Sequence, residues 1–313
     1  MRYIETLREG MHTSDIYLCK NKQIALTKSG KEYGNLLLQD KTGTIDGKIW
    51  DLHSPGVSAF ETMDYVQVEA DVTLFQGSFQ LNIKRIRKAA AGEYREVDYL
   101  PVSKKDINKM YQELMGYVRT LQDPYLSQLA LGFFGDQKFA KAFSFHSAAK
   151  TVHHGFVGGL LEHTLNVLKL CDFYAANYPM LKRDLLLTAA MFHDIGKLKE
   201  LSVFPANDYT DDGQLLGHII IGTEMVNDKI KTIAGFPPKL ASELKHCILA
   251  HHGELEYGSP KKPALLEALA LNFADNTDAK METMIEALNA NSEAKGWLGF
   301  NRLLETNIRR TGE

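Results

Sequence analysis

The period of the hydrophobic residues changes partway along this chain, and the change limits the folds available to each part. From about Ile16 to Ile86, short alternating or apolar runs are separated by turn residues such as Ser29-Gly30, a pattern that predicts five or six strands. From Asp106 onward the apolar residues recur with a helical period, and glycine or proline ends most segments. The sequence therefore predicts a multi-domain protein, with a small N-terminal all-β barrel followed by a C-terminal all-α domain.

The boundary between the two parts is expected near residues 90–104. After Ala89 the stretch EYREVDYLPVSKKD carries mixed charge and one proline, which is typical of a linker. We expect domains over residues 1–90 and 105–313, joined by a linker at 91–104. Helices are expected at about 104–121, 124–133, 137–144, 158–176, 183–196, 216–231, 238–252 and 263–289.

Composition excludes several classes of protein. The 313 residues are 44% hydrophobic and 24% charged with a net charge of −3, so the chain is globular and lacks a global positive field for a polyanion. The three cysteines are widely spaced and support neither a disulfide framework nor a thiolate zinc site. No signal peptide and no run of about 18 apolar residues is present, so we expect a cytoplasmic protein without a membrane span.

Histidine is the one residue type with an unusual distribution. Nine of the eleven histidines lie between His146 and His252. Neutral imidazole binds divalent metals and titrates near neutral pH. The local excess therefore favours metal binding, proton transfer or phosphate contact over simple packing.

Two segments of this region place polar groups on strongly apolar helices. His163 shares a helix face with Leu160 and Val167, and the adjacent His193 and Asp194 end the apolar segment LLLTAAMF. A buried, unpaired carboxylate costs several kcal/mol, and no lysine or arginine occurs in the nine residues before Asp194. A cation from elsewhere in the chain, or a metal ion, is the expected partner.

Further groups of the same character follow along the chain. His218 opens an apolar helix, His251 and His252 end the segment CILAHHGE, and Asp275 lies among apolar residues of the last predicted helix. Imidazole and carboxylate without sulfur suit Mn²⁺, Fe²⁺ or Zn²⁺, whereas a Ca²⁺ site would use fewer histidines. The alternative is that each is a hydrogen-bonded core residue.

The ordered string H…HD…H…HH…D resembles the HD-domain superfamily of metal-dependent phosphohydrolases over about residues 145–285, with GGLLEHT and HDIGK as close matches. The resemblance implies one metal held by His163, His193, Asp194 and Asp275, and a second held by His218, His251 and His252 with Asp194 bridging. Which of His251 and His252 is a direct ligand stays open. Two divalent ions per chain are expected; Mn²⁺ is favoured, and Fe²⁺, Zn²⁺, Co²⁺ and Mg²⁺ are left open.

Other polar side chains near this string are candidates for catalysis. His153 and His154 resemble the histidine-bearing lead-in of some HD phosphodiesterases and are expected to reach a phosphate or a leaving oxygen. Lys197, three residues after the catalytic candidate Asp194, is expected to hold a phosphate oxygen, although most lysines are simply solvated. No nucleotide-binding glycine loop and no serine or cysteine nucleophile motif occurs, so metal-assisted phosphoester hydrolysis is the indicated reaction class.

The segment YGNLLLQDKTGTIDGKIWD, with the two strands after it, resembles a nucleic-acid-binding OB-fold of the tRNA-anticodon type over about residues 12–90. Such a barrel needs exposed aromatic rings for base stacking and basic groups along its groove. The stacking candidates are Tyr33, Trp50, Phe75 and Phe79, and the phosphate-contact candidates are Lys48, Lys84, Arg85, Arg87 and Lys88. The alternative is that the rings pack in the core and the charges are solvated.

An OB barrel in front of an HD domain resembles the YhaM-type 3′→5′ exoribonucleases, a bacterial family, over nearly the whole chain. The resemblance implies that the barrel binds single-stranded RNA and that attack by a metal-bound hydroxide at the 3′ end releases nucleoside 5′-monophosphates. Single-stranded DNA as a second substrate and a homo-oligomeric state stay open. The alternatives are an HD phosphodiesterase or nucleotidase acting on small nucleotides, and a non-catalytic nucleic-acid-binding protein with a structural metal site.

Overall fold

Five strands near the N-terminus close into a barrel. The computed structural model describes residues 1–27, 30–75, 77–150, 154–290 and 295–312. The strands are β1 (His12–Leu26), β2 (Glu32–Asp40), β3 (Gly43–Ile49), β4 (Tyr65–Phe75) and β5 (Ser78–Lys88). Their order around the barrel is β1-β2-β3-β5-β4, and only the β3–β5 pair is parallel. This closed five-stranded topology is OB-like, and it confirms the predicted fold of the first part.

Alternation of side chains along the strands explains why the barrel closes. Leu36 and Leu38 of β2 are fully buried. Asn35 and Leu37, which alternate with them along the strand, are only partly buried and lie on the outer side. Gly47 of β3 occupies a tight position inside the barrel. A Cβ atom there would lie 2.7 Å from the Cδ1 atom of Ile83, so a larger residue would have to displace this side chain in the barrel core.

Residues 91–102, which the sequence suggests as a linker, pack with the barrel. The chain divides into one unit at Met1–Val102 and a second at Ser103–Glu313. The ring centroids of Tyr94 and Tyr99 lie 3.9 and 5.0 Å from that of Tyr65. The first unit therefore ends at Val102 rather than at residue 90. Two tyrosines of the charged segment, Tyr94 and Tyr99, pack against Tyr65 of β4.

The second unit is mainly helical. Its helices are α1 (Ile107–Thr120), α2 (Pro124–Phe134), α3 (Gln137–Phe145), α4 (Gly159–Asn177), α5 (Arg183–Phe192), α6 (Lys197–Glu200), α7 (Asp211–Lys231), α8 (Pro238–Leu249) and α9 (Leu266–Ala290). The helix predicted at 183–196 ends at Phe192, a turn occupies 193–196, and α6 follows it; α7 begins before the predicted residue 216. No helix in the described part of the chain is long and apolar enough to cross a membrane.

A two-stranded hairpin follows the last helix and departs from the all-α prediction for this part. Its strands are β6 (Trp297–Asn301) and β7 (Thr306–Arg309), paired antiparallel. Ile308 is buried, and the Arg310 guanidinium donates a hydrogen bond to the carbonyl oxygen of Leu288 in α9. The strands are short, so they carry too few alternating residues to show a clear strand period.

Candidate metal centre and nucleic-acid interface

Side chains from five helices of the second unit meet at one place. His163 lies on α4, His193 and Asp194 follow α5 directly, and His218 lies on α7. His251 and His252 come directly after the end of α8, and Asp275 lies on α9. The structure thus brings together the seven residues predicted to hold metal.

The carboxylate of Asp194 lies at the centre of this cluster and is almost fully buried. Its Oδ2 atom is 3.4 Å from the Nε2 atoms of His163 and His193. Its Oδ1 atom is 3.4 Å from Nε2 of His218 and 3.8 Å from Nε2 of His251. Each carboxylate oxygen therefore faces a different pair of imidazoles.

The cluster separates into two groups with the spacing of metal ligands. In the first, ligand atoms of His163, His193 and Asp275 lie within 4.8 Å of one another, and those of His218, His251 and His252 do so in the second. The Nε2 atom of His163 is 3.1 Å both from Asp275 Oδ1 and from His193 Nε2. Two groups that share one carboxylate have the form of a two-metal site.

The orientation of the rings supports metal binding. In all five histidines the Nδ1 atom contacts an oxygen of the chain, and these oxygens accept rather than donate hydrogen bonds. The contacts are His163–Asp278 Oδ2 (2.7 Å), His193–Ala190 O (2.8 Å), His218–Glu200 Oε1 (3.0 Å), His251–Ile248 O (2.7 Å) and His252–Tyr257 O (2.8 Å). With Nδ1 donating, each Nε2 atom has a lone pair for a metal ion, as metal-binding histidines require.

Several buried polar atoms at the centre lack hydrogen-bond partners. Within the described residues these include Asp194 Oδ1, His218 Nε2 and His251 Nε2. A buried polar atom without a partner costs about 1–3 kcal/mol. Because a divalent cation would satisfy all three atoms at once, the residues fit a bound metal.

The pKa values of the cluster follow from burial and from the neighbouring charges. Burial would raise the pKa of Asp194, but Lys197 and the surrounding histidines hold it well below its usual range. Burial lowers the pKa of His193 and of His251, so both rings are neutral ligands at neutral pH. Burial would also lower the pKa of His163, but hydrogen bonds to Asp275 and Asp278 raise it to about 10, so a metal ion at Nε2 of this ring would have to displace a proton.

The lysine and one of the two lead-in histidines lie beside the cluster. The Lys197 ammonium is 2.6 Å from Asp194 Oδ2, and its side chain is mostly buried. The His154 ring is buried, with its Nε2 atom 3.0 Å from Asp278 Oδ2, and its backbone has a φ of 60°. His153 lies outside the described residues. The expected phosphate contacts of Lys197 and His154 stay predictions.

Two acidic residues of the site are not apparent in the sequence. Asp278 Oδ2 contacts both His163 and His154, and Glu200 Oε1 accepts hydrogen bonds from the backbone and the ring of His218. Glu200 lies in the charged stretch KLKE, which looks like a solvated helix turn. For Asp278 one signal was available, since it follows Asp275 by three residues and a helix places such residues on one face.

A cleft of about 730 Å³ opens beside the metal ligands. Its walls include His163, His252 and Asp275 from the cluster, together with His154 and Lys197. This volume is in the range of sites that hold small ligands or part of a larger one. The metal cluster is therefore reachable from outside the protein.

In the barrel, the outer face of β2 and β3 carries an aromatic pair. The rings of Tyr33 and Trp50 are stacked with centroids 5.2 Å apart, and Trp50 is 47% exposed. The Lys48 ammonium contacts the side-chain oxygen of Asn35 on the same face. This face combines one exposed and one half-buried ring with a cation, and rings and cations are the groups that bind single-stranded nucleic acid.

The remaining candidates of the barrel have different surroundings. Phe75 and Phe79 are exposed at the ends of β4 and β5. The four cations of the segment KRIRK each lie near a carboxylate of the barrel unit, in the pairs Lys84–Asp71, Arg85–Glu69, Arg87–Glu93 and Lys88–Asp64. A phosphate would have to compete with these acids, so the face of Tyr33 and Trp50 is better suited to bind a strand.

Known proteins resemble this chain through a family model, through relatives that match most of its length, and through one solved domain. The family model for the HD domain matches residues 160–280. The chain is 36% identical over 284 residues to the 3′-5′ exoribonuclease YhaM of Bacillus velezensis, covering 89% of this chain and 88% of that protein. The proteins of the same name from Bacillus subtilis and a Geobacillus species are 35% and 34% identical, over 89% and 88% of this chain and 88% and 84% of those proteins. The second OB-fold domain of replication protein A from Methanococcus maripaludis aligns with a TM-score of 0.23 and 18% identity, over 28% of this chain and 92% of that one.

Fold and site together define an HD-domain hydrolase that carries an OB-type barrel. The YhaM proteins are about 35% identical in sequence to this chain over most of both lengths, which is enough to assign it to one family within this class. The chain belongs to the YhaM family of 3′-5′ exoribonucleases.

Proposed function

We propose that this chain is a metal-dependent 3′-5′ exoribonuclease that shortens single-stranded RNA and releases nucleoside 5′-monophosphates. Membership of the YhaM family supports the reaction and its direction. The observation that carries the metal dependence is the position of Asp194, whose two oxygens face two different groups of imidazoles.

The residues divide between two ion positions. His163, His193 and Asp275 would hold one ion, His218, His251 and His252 would hold the other, and Asp194 would contribute to both. Divalent ions bound there would polarise a phosphoryl oxygen and lower the pKa of a water molecule, which is the chemistry that phosphoester hydrolysis needs. The absence of sulfur ligands favours Mn²⁺ or Fe²⁺ over a structural zinc site.

The chain supplies orientation and charge around these ions. Asp278 and Glu200 fix the rings of His163 and His218, so that Nε2 points into the site. The Lys197 ammonium contacts Asp194 and lines the cleft, and it is proposed to contact a phosphate oxygen. His154 lines the same cleft and is proposed to contact the phosphate or the leaving oxygen.

The barrel is proposed to hold the RNA strand. The stacked pair of Tyr33 and Trp50 offers a ring surface that accepts any base, and Lys48 on the same face would contact a phosphate. This assignment is consistent with the net charge of −3, because binding would depend on stacking and on local cations rather than on a global field. Single-stranded DNA is proposed as a weaker second substrate.

An RNA labelled at its 5′ end, incubated with the purified protein and Mn²⁺, tests the proposal. We expect a ladder of stepwise shortened products, with nucleoside 5′-monophosphates released, and no reaction in a chelator. Hydrolysis of free nucleotides alone would instead indicate a small-molecule phosphodiesterase, and binding without products would indicate a non-catalytic protein. The same assay with DNA of equal sequence measures the substrate preference.

Asp194→Ala tests the shared carboxylate directly. We expect the folded variant to bind less metal and to lose at least about 100-fold in rate, since the loss of residues that merely orient ligands already costs 10–100-fold. Metal analysis of the purified protein and the RNA assay provide the two measurements. A folded Asp194→Ala protein that degrades RNA at the wild-type rate would contradict the two-metal assignment.

A further inference from the structure

Helix α9 carries the candidate metal ligand Asp275 and also forms part of the wall of the cleft. Six residues of this helix line the cleft, namely Asn272, Asp275, Asn276, Ala279, Lys280 and Thr283. Their spacing of one, three or four residues places them along a single face of the helix. The face begins beside the metal ligands and continues away from them toward Lys280.

Lys280 differs from the other cation that lines the cleft. The Lys197 ammonium is held by Asp194, whereas the exposed side chain of Lys280 makes no ion pair or hydrogen bond with the described residues. The acids of the cleft are engaged elsewhere, since Glu254 pairs with Lys262 and Asp275 contacts His163. Lys280 thus presents an unneutralised positive charge to whatever occupies the cleft.

Apolar residues make up another part of the cleft wall. Leu303 and Leu304, from the turn between β6 and β7, line the cleft with apolar side chains, as do Ala148 and Ala149. A cation in such surroundings attracts an anionic ligand and has little competition from the wall itself. For a chain that acts on RNA, the anions available are the phosphates of the strand.

We propose that Lys280 forms a second phosphate site, which binds the strand one or two nucleotides away from the phosphate that is cleaved. Lys280 follows Asp275 by five residues, which is about 7.5 Å along a helix axis. Successive nucleotides of one duplex strand rise by about 3.4 Å along the axis, so about 7.5 Å corresponds to one or two nucleotides of a strand. This inference rests on the proposed exoribonuclease function and adds a subsite to it.

Steady-state kinetics of Lys280→Ala in the full chain test the site. We expect an increase of about tenfold in KM for a single-stranded RNA oligonucleotide, the order expected for loss of one charge-assisted contact, with kcat changed little. The slope of log affinity against log salt should become shallower by about 0.7, the value for one phosphate contact on a single strand. Bis-(p-nitrophenyl) phosphate has one phosphate only, so its KM should change far less than that of RNA.

Two further variants make the comparison specific. Lys280→Arg keeps the charge and should restore most of the affinity for RNA. Lys141→Ala removes an exposed lysine of α3 that does not line the cleft, and it should leave the KM for RNA at the wild-type value. Alanine favours helix at both positions, so neither alanine variant is expected to unfold its helix.

The outcomes separate the two proposals. An unchanged KM and salt slope in Lys280→Ala, with a wild-type protein that shortens RNA, would overturn the phosphate site and leave the exoribonuclease function standing. An equal loss on RNA and on the small diester would also overturn it, because the effect would then lie in the metal centre. A wild-type protein that produces no ladder would overturn the exoribonuclease function itself.

Discussion

At the scale of single residues, two acidic side chains hold histidines of the cluster in place: Asp278 Oδ2 contacts Nδ1 of His163, and Glu200 Oε1 contacts Nδ1 of His218. Apolar neighbours mark His163 and Asp194 as buried, and burial of such groups needs a partner. Glu200 and Asp278 contact histidines that are distant in sequence, and the only signal in their own segments is that Asp278 follows Asp275 by three residues. A search for residue types at fixed spacing finds ligands, but the hydrogen bonds of Nδ1 depend on tertiary structure.

Asp278→Asn should weaken metal binding without removing a proposed ligand. The carboxylate oxygen Oδ2 contacts the rings of both His163 and His154, and a neutral amide would hold these rings less firmly. Loss of such a contact typically costs 10–100-fold in metal affinity or activity. Metal titration and the RNA assay measure the effect.

Asp228→Asn provides the matched control for that variant. Asp228 is 72% exposed on α7 and pairs with Lys231, so its replacement should change neither metal affinity nor rate. Equal metal affinity in Asp278→Asn and the wild type would show that Asp278 does not orient His163.

His146 should make stability depend on pH. Burial lowers the pKa of His146 below the usual 6.5, so below about pH 6.5 the unfolded chain binds a proton that the folded chain does not. The free energy of unfolding is therefore unaffected above this pH and falls as the pH decreases, by up to ~1.4 kcal/mol per pH unit. In His146→Gln, denaturant unfolding between pH 7 and 5 should show a shallower decrease in the free energy of unfolding, and a decrease as steep as in the wild type would contradict the assignment to His146.

At the scale of elements, the site depends on close contacts between backbones. A Cβ atom on Gly196, at the start of α6, would lie 2.0 Å from the carbonyl oxygen of His218 and 2.7 Å from the backbone nitrogen of Gly222. Helix α6 therefore approaches α7 as closely as it does because Gly196 has no side chain. The sequence HDIGK shows a glycine at this point, but its contact with α7 could not be foreseen from the helical period.

Gly196→Ala should reduce both stability and metal binding. The added methyl group must displace α6 or α7, at a cost of at least about 1–3 kcal/mol, and a displaced α7 moves His218 out of position. Gly116→Ala in α1 is the control, because nothing lies within 4 Å of its Cβ position and alanine favours a helix. Denaturant unfolding and metal titration of both variants test this, and a Gly196→Ala protein as stable as the wild type would disprove the close contact.

At the scale of the whole molecule, a net charge of −3 is compatible with a nuclease. Binding of RNA depends on the positive charges near the bound strand and not on the sum over the whole surface. In the barrel, Lys84, Arg87 and Lys88 are paired with carboxylates of the same unit. The sequence predicts a phosphate site at the segment KRIRK. The carboxylates that pair with these cations are separated from them in the sequence, so the segment alone does not show that the charges are neutralised. The spacing of hydrophobic residues therefore predicts the fold class and the order of the domains. It does not predict which surface charges are paired.

Trp50→Ala should weaken RNA binding by the full protein without altering the metal centre. A base stacked on an aromatic ring contributes about 1–3 kcal/mol of binding free energy, so the affinity should fall by at least about fivefold. Phe173→Ala removes an exposed ring of α4 outside the barrel and should leave the affinity unchanged. Filter binding to single-stranded RNA measures both, and equal affinities would remove the Tyr33–Trp50 face from the RNA path.

The way the imidazoles are held has a consequence for transplanting this centre into another protein. Three of the five rings are fixed by the carbonyl oxygens of Ala190, Ile248 and Tyr257, a group that every amino acid possesses. Copying the ligands together with Glu200 and Asp278 would therefore reproduce only part of the support. The other hydrogen bonds come from backbone carbonyl groups near the ends of α5 and α8 and at Tyr257. A recipient scaffold must therefore match the backbone conformation at these points as well as the residue identities.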